Sequence, residues 1–120
     1  MKTAHKSDAG RIRLVNEDRL AVQTDLNGLT LAILADGMGG HQAGDIASEM
    51  AIEIIQQQLQ SLHQDMTTAE CERLVHEAIM LANHKIYDEA LREQKYKGMG
   101  TTVVVAVASD ERILVSHIGD

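Results

Sequence analysis

Asp36-Gly37-Met38-Gly39-Gly40-His41 lies between an apolar run, Leu29 to Ala35, and a helical pattern that opens near Ala43. The run is short and free of glycine, as a covered strand should be. Asp36 is expected at the strand's end, where a carboxylate would project from a stiff edge into a crevice. Gly37, Gly39, Gly40 and Gly44 fall within the next eight residues. They would let the backbone turn sharply and come close to a ligand. The amides that open the following helix would point back at the same crevice. The arrangement fits either an oxygen-ligand metal site or an anion site. An isolated Asp-Gly is a common turn signal. The glycine density, His41 and a second acidic cluster upstream point past that simple reading.

That upstream cluster is Ser7-Asp8-Ala9-Gly10-Arg11-Ile12-Arg13-Leu14-Val15-Asn16-Glu17-Asp18. It has neither helical nor strand periodicity and is expected as an ordered loop, after a short polar strand over Thr3 to Asp8. Leu20 to Thr24 alternates apolar and polar, as a half-buried strand does. Asp25-Leu26-Asn27-Gly28 is a turn, and Asn-Gly is a strong hairpin signal. The hairpin would pair Leu20–Thr24 with Leu29–Ala35 and so bring Glu17 and Asp18 beside Asp36. Three carboxylates would then share one end of one hairpin.

The remaining elements are simpler. From Ala43 to about Leu62, Ile46, Met50 and Ile54, with Ala47, Ala51 and Ile55, make one apolar helical face. Gln56, Gln57, Gln58 and Gln60 are expected in solvent. Thr67 and Glu70 form a capping box. It opens a second helix to about Arg92, on which Leu74, Ala78, Ala82 and Ile86 repeat every four residues, joined by Val75 and Ile79. Gln94 to Gly100 reads as a loop. Thr101 to Ala108 is β-branched and apolar on both faces, as a central strand is, and Arg112 to Ile118 is its return strand. The order strand–strand–helix–helix–strand–strand gives an α+β fold with antiparallel hairpins.

At 120 residues the chain is at most one small domain. Its net charge of −7 comes from 18 acidic against 11 basic residues, and the basic ones form no patch. Nucleic acid is therefore not expected as a partner, whereas clustered acids suit a hard divalent cation. The single cysteine, Cys71, excludes an internal disulfide and a cysteine-cluster metal site and reads as a packing residue. With no signal-peptide-like or membrane-spanning run, the expected location is cytoplasmic. Phe, Trp and Pro are absent. The sequence stops on Ile118-Gly119-Asp120, directly after an apolar strand, which reads as a cut rather than a natural terminus. His5, His63, His76, His84 and His117 share no ligand spacing and read as structural or surface residues. Met38 and Met99, beside glycines, read as packing.

Three blocks resemble the metal-dependent (PPM, type 2C) serine/threonine protein phosphatases in their compact bacterial form, over the N-terminal half of the catalytic domain. They are Ser7-Asp8-x-Gly10-x-x-Arg13-x-x-Asn16-Glu17-Asp18, then Ala35-Asp36-Gly37-Met38-Gly39-Gly40-His41-x-x-Gly44-x-x-Ala47-Ser48, then Gly98-Met99-Gly100-Thr101-Thr102 with His117-Ile118-Gly119-Asp120. They cover nearly the whole chain in the family's order. The resemblance implies an α+β fold: the N-terminal half of an α-β-β-α sandwich with antiparallel strands, two long helices and two metal ions at one end. It implies that Asp36 bridges both metals, that the Gly37 carbonyl joins one of them, that Glu17 matches a ligand of that same metal in some members, and that Asp18 matches the adjacent acid, which works directly or through a water. Asp120 matches the acid that holds a weaker third metal. Arg13 matches the arginine on the substrate phosphate. His41 is the candidate proton donor to the leaving alkoxide.

The implied cofactors are Mn²⁺ or Mg²⁺. The implied substrates are phosphoserine and phosphothreonine proteins, products of Ser/Thr kinases, hydrolysed by a metal-activated water. The chemistry is consistent with those assignments. Two close metals neutralise phosphoryl charge and lower the pKa of a water. A guanidinium matches phosphate with two hydrogen bonds, and an imidazole titrates in the range needed to protonate a leaving oxygen.

The family's catalytic domain is roughly twice this long, and its second half supplies further aspartates to the metals. The alternative reading is therefore a catalytically incomplete phosphatase-like segment acting as a binding or regulatory module. Half a sandwich would also leave strand edges unpaired, so a marginal or self-associating chain is expected. A nucleotide-binding domain fits poorly. The loop lacks a Gly-Lys-Ser/Thr ending, and Gln42 stands where a Gly-x-Gly-x-x-Gly pattern needs glycine.

Overall fold

The computed structural model describes residues 13–14, 19–39 and 41–118. The strand expected over Thr3 to Asp8, and His5, lie outside them. Five strands form one antiparallel sheet in sequence order: β1 (Arg13–Leu14), β2 (Arg19–Leu26), β3 (Leu29–Met38), β4 (Gly100–Ala108) and β5 (Ile113–Ile118). Between β3 and β4 the chain makes α1 (His41–Gln58), a 3-10 turn (Leu59–Ser61) and α2 (Thr68–Arg92). The α+β class, the antiparallel hairpins and the two long helices are as the sequence predicts. β1 is an addition, since it lies in a stretch expected as loop. A two-residue strand shows no periodicity, and its pairing partner, Ala21 and Val22 of β2, is what defines it.

The Asn27-Gly28 hairpin forms as expected. Both residues have positive φ, 51° and 90°, as a tight two-residue hairpin turn requires. One extra residue on the β2 side, with Asp25 at φ 57°, makes a bulge ahead of the turn. β3 runs three residues further than the apolar pattern indicates. Asp36, Gly37 and Met38 stay paired with Thr102, Thr101 and Gly100 of β4. Asp36 therefore sits in a paired strand, one residue beyond the last β2 contact, Arg19 opposite Ala35.

Both helices pack on one face of the sheet. There Leu31, Ile33, Ala35, Val103, Val105 and Val107 are buried against Ala47, Ala51, Ile55, Val75, Ile79 and Ile86. The buried face of α1 is rotated from the expected one. Ala43, Ala47, Ala51, Ile55 and Leu59 are buried, whereas Ile46, Met50 and Ile54 are only partly so. Small side chains let the helix axis approach the sheet closely, so the alanine stripe and not the larger residues faces inward. α1 also begins at His41, ahead of Ala43. The second helix opens and ends as predicted, with the Thr67–Glu70 capping box present in both directions.

Two of the glutamines expected in solvent have structural partners. Gln23 of β2, only 3% exposed, accepts from Gln56 Nε2 at 3.1 Å and Gln60 Nε2 at 2.8 Å and donates to Gln60 Oε1 at 3.0 Å. A buried amide must be satisfied, and here Gln56 in the last turn of α1 and Gln60 in the 3-10 turn after it satisfy it. The expected loop from Gln94 contains a 3-10 turn, Gln94–Tyr96. Met99 is buried as expected, but Met38 is 48% exposed. Cys71 packs partly buried against the core, and that burial raises its thiol pKa.

Among the described residues no helix covers the opposite sheet face. Leu34 pairs across with Val104, and Ala106 with Val115. Leu34 is 41%, Val104 37% and Val115 55% exposed. The apolar character of β4 on both faces is thus matched by cover on one. Among the described residues no helix is long and apolar enough to cross a membrane.

Candidate metal centre

Asp36 stands where two constraints meet. β3 still pairs with β4 there, but pairing with β2 has just ended. Its carboxylate is exposed, and among the described residues no hydrogen bond or ion pair engages it. Its backbone carbonyl accepts a long 3.5 Å bond from Thr102 Oγ1. An acid left unneutralised at a strand end has its oxygens free for a hard cation.

The glycine loop after it is tightly packed. A methyl group built on Gly37 would lie 1.8 Å from the carbonyl oxygen of Gly44, in the first turns of α1. One on Gly39, whose φ is +111°, would lie 2.7 Å from Met99 Cα. The segment before β4 therefore crosses the loop after β3, backbone against backbone, with buried Met99 holding it down. The glycines around Met99 were the signal for this crossing, which the periodicity of the flanking elements does not reveal. The same contacts bring the start of α1 to the Asp36 end of the sheet, so the backbone of His41, its first residue, lies at that end.

The remaining candidates divide. Arg13 is in β1, opposite Val22, which in turn pairs with Ala32. It is therefore two strands from β3 and in a row short of Asp36. Arg19, the residue after Asp18, faces Ala35. Glu17, Asp18 and Asp120 lie outside the described residues. Among the described residues no three His, Cys, Asp or Glu side chains converge on a metal-sized site. The donors they offer to a cation here are the Asp36 carboxylate and the neighbouring Gly37 carbonyl. Both are oxygens, as a hard divalent ion requires. His63, His76, His84 and His117 are exposed, in keeping with their surface reading.

The sequence pattern of the protein phosphatase 2C family matches residues 10–120. The chain belongs to that family. Over its full 120 residues it is 36% identical to the serine/threonine phosphatase stp of Listeria monocytogenes, covering 48% of that protein. It is also 36% identical to the protein phosphatase PhpP of Streptococcus pneumoniae, again covering 48%. The chain thus spans about half the length of the curated relatives it matches. The fold agrees. A solved serine/threonine phosphatase of S. agalactiae is 35% identical with a TM-score of 0.76, matching 94% of this chain and 46% of its own. The catalytic domain of the protein phosphatase PstP, solved with two manganese ions, is 31% identical with a TM-score of 0.65 over 96% of this chain and 46% of that one.

Proposed function

We propose that the chain is the N-terminal part, residues 1–120, of a PPM-type catalytic domain that hydrolyses phosphoserine and phosphothreonine in proteins. The observation that carries this reading is an exposed Asp36 at the end of β3, followed by a glycine loop pressed against α1, within a chain of the protein phosphatase 2C family. Asp36 and the Gly37 carbonyl hold divalent cations, Mn²⁺ or Mg²⁺, two in number, with Glu17 and Asp18 completing this chain's share. Asp120 serves a weaker third ion. When bound, such ions neutralise phosphoryl charge and make water nucleophilic at neutral pH. Arg13 grips the substrate phosphate through paired N–H donors. His41, at the head of α1, donates the proton that the leaving serine or threonine oxygen needs. The open sheet face is where the second layer of the sandwich packs. The substrates are products of Ser/Thr kinases, and the site of action is the cytoplasm.

A second reading has its own observation. The chain spans 48% of the relatives it matches, which favours a segment that binds metal or phosphoprotein without turning it over. One assay separates the two: hydrolysis of a phosphothreonine peptide by the chain with and without Mn²⁺, beside Asp36→Asn. Manganese-dependent release of phosphate that the variant lacks supports the enzyme. Manganese binding with no phosphate release supports the binding module. A chain that neither binds manganese nor releases phosphate contradicts both.

A further inference from the structure

Gly44 belongs to none of the roles assigned above. It lies in α1 beyond the loop, and glycine is unfavourable inside a helix. Its backbone nevertheless lies against the peptide that follows Asp36 and Gly37. A methyl on Gly44 would sit 3.0 Å from the carbonyl carbon of Gly37, 3.1 Å from its oxygen and 3.2 Å from Met38 N. All three atoms belong to the peptide unit that carries the proposed ligand oxygen. From the other side, Gly44's own carbonyl fills the space that any side chain at Gly37 would need. The two glycines are in backbone contact, with Gly44 buried and Gly37 half-buried. Ala43, Ala47 and Ala51 hold that helix down on the sheet.

We propose that Gly44 is a positioning residue for the metal: its bare backbone sets the Gly37–Met38 peptide plane and thereby aims the Gly37 carbonyl. The proposal rests on the metal reading of Asp36 and Gly37. A methyl at Gly44 has too little room, so the Gly37 peptide must move by a few tenths of an ångström. Ligand orientation is sensitive to such shifts, and losing a residue that orients a ligand weakens metal binding about tenfold or more. The helix itself gains from alanine. Weaker metal binding is expected even in a Gly44→Ala chain that stays folded, which a purely structural glycine would not produce.

The test is Mn²⁺ titration, read by the EPR signal of free ion, of the chain, Gly44→Ala and Gly100→Ala. The last is a control, because a methyl at Gly100 meets only the flexible end of Met38, at 3.7 Å. The dissociation constant should rise about tenfold in folded Gly44→Ala and stay at the wild-type value in Gly100→Ala. Equal affinity in a folded Gly44→Ala overturns the inference and leaves the metal reading standing. No Mn²⁺ binding by the wild type overturns both. Should Gly44→Ala fail to fold, Mg²⁺ titration of the wild type by amide NMR decides. Shifts at Gly44 and Asp45 together with Met38 support the coupling, and silence at 44 and 45 while Met38 responds overturns it.

Discussion

Among the described residues the Asp36 carboxylate has no hydrogen-bond or ion-pair partner, and that decides how its substitution should behave. Exposed side chains without contacts change stability by about 0.5 kcal/mol or less. Asp36→Asn should therefore melt with the wild type, and calorimetry checks it. Glu70 is the opposite case. Thr67 donates to its carboxylate from the backbone at 2.9 Å and from the hydroxyl at 3.1 Å, and these bonds lower its pKa. A depressed carboxylate stabilises the fold above its unfolded pKa, about 4.3, and that stabilisation is lost as pH falls through the folded value. The urea midpoint should fall more between pH 6 and pH 3 in the wild type than in Glu70→Gln. At this scale Thr67 and Glu70 were legible because a capping box is local. Gln23 was not, because its partners, Gln56 and Gln60, are more than thirty residues away and look like surface in the sequence.

Among the elements, α2 was readable at both ends, since its cap and its four-residue repeat lie within it. The end of β3 was not. Glycine disfavours strand, and only the distant Gly100–Thr102 partner extends the ladder through Asp36 to Met38. The proposed site sits on that extension. The hairpin turn shows a similar tie. Asn27 Nδ2 donates to Leu62 O at 2.7 Å and to Gln60 O at 3.2 Å, and Gln64 N donates back to Asn27 O at 3.3 Å. Asn-Gly marks a turn, but nothing in the sequence says that the turn is pinned to the connection between helices. Asn27→Ala loses both side-chain bonds and puts alanine at positive φ, so it should reduce stability by roughly 2 kcal/mol in urea unfolding. Thr67→Ala should cost about 1 kcal/mol in the same assay.

At the scale of the whole molecule, the described helices cover one side of the sheet and leave apolar residues exposed on the other. Leu34, Val104 and Val115 form exposed apolar rows on that face, with Ile113 at its edge. Contiguous apolar area of this kind drives association, opposed by the net charge of −7. The chain should sediment as a concentration-dependent mixture, more associated at high salt, where charge repulsion is screened. Val115→Lys should shift it toward monomer. A wild-type chain that stays monomeric at high salt would contradict this. The need for cover was legible in Thr101 to Ala108, whereas the side left open required the three-dimensional placement of α1 and α2.

The most direct test of the account is a Mn²⁺ titration of the chain beside Asp36→Asn, with both melts recorded. The account predicts saturable binding by the wild type that Asp36→Asn loses while melting at the same temperature. Equal binding by both chains, or binding by neither, would contradict the placement of the metal at the Asp36 end of the sheet.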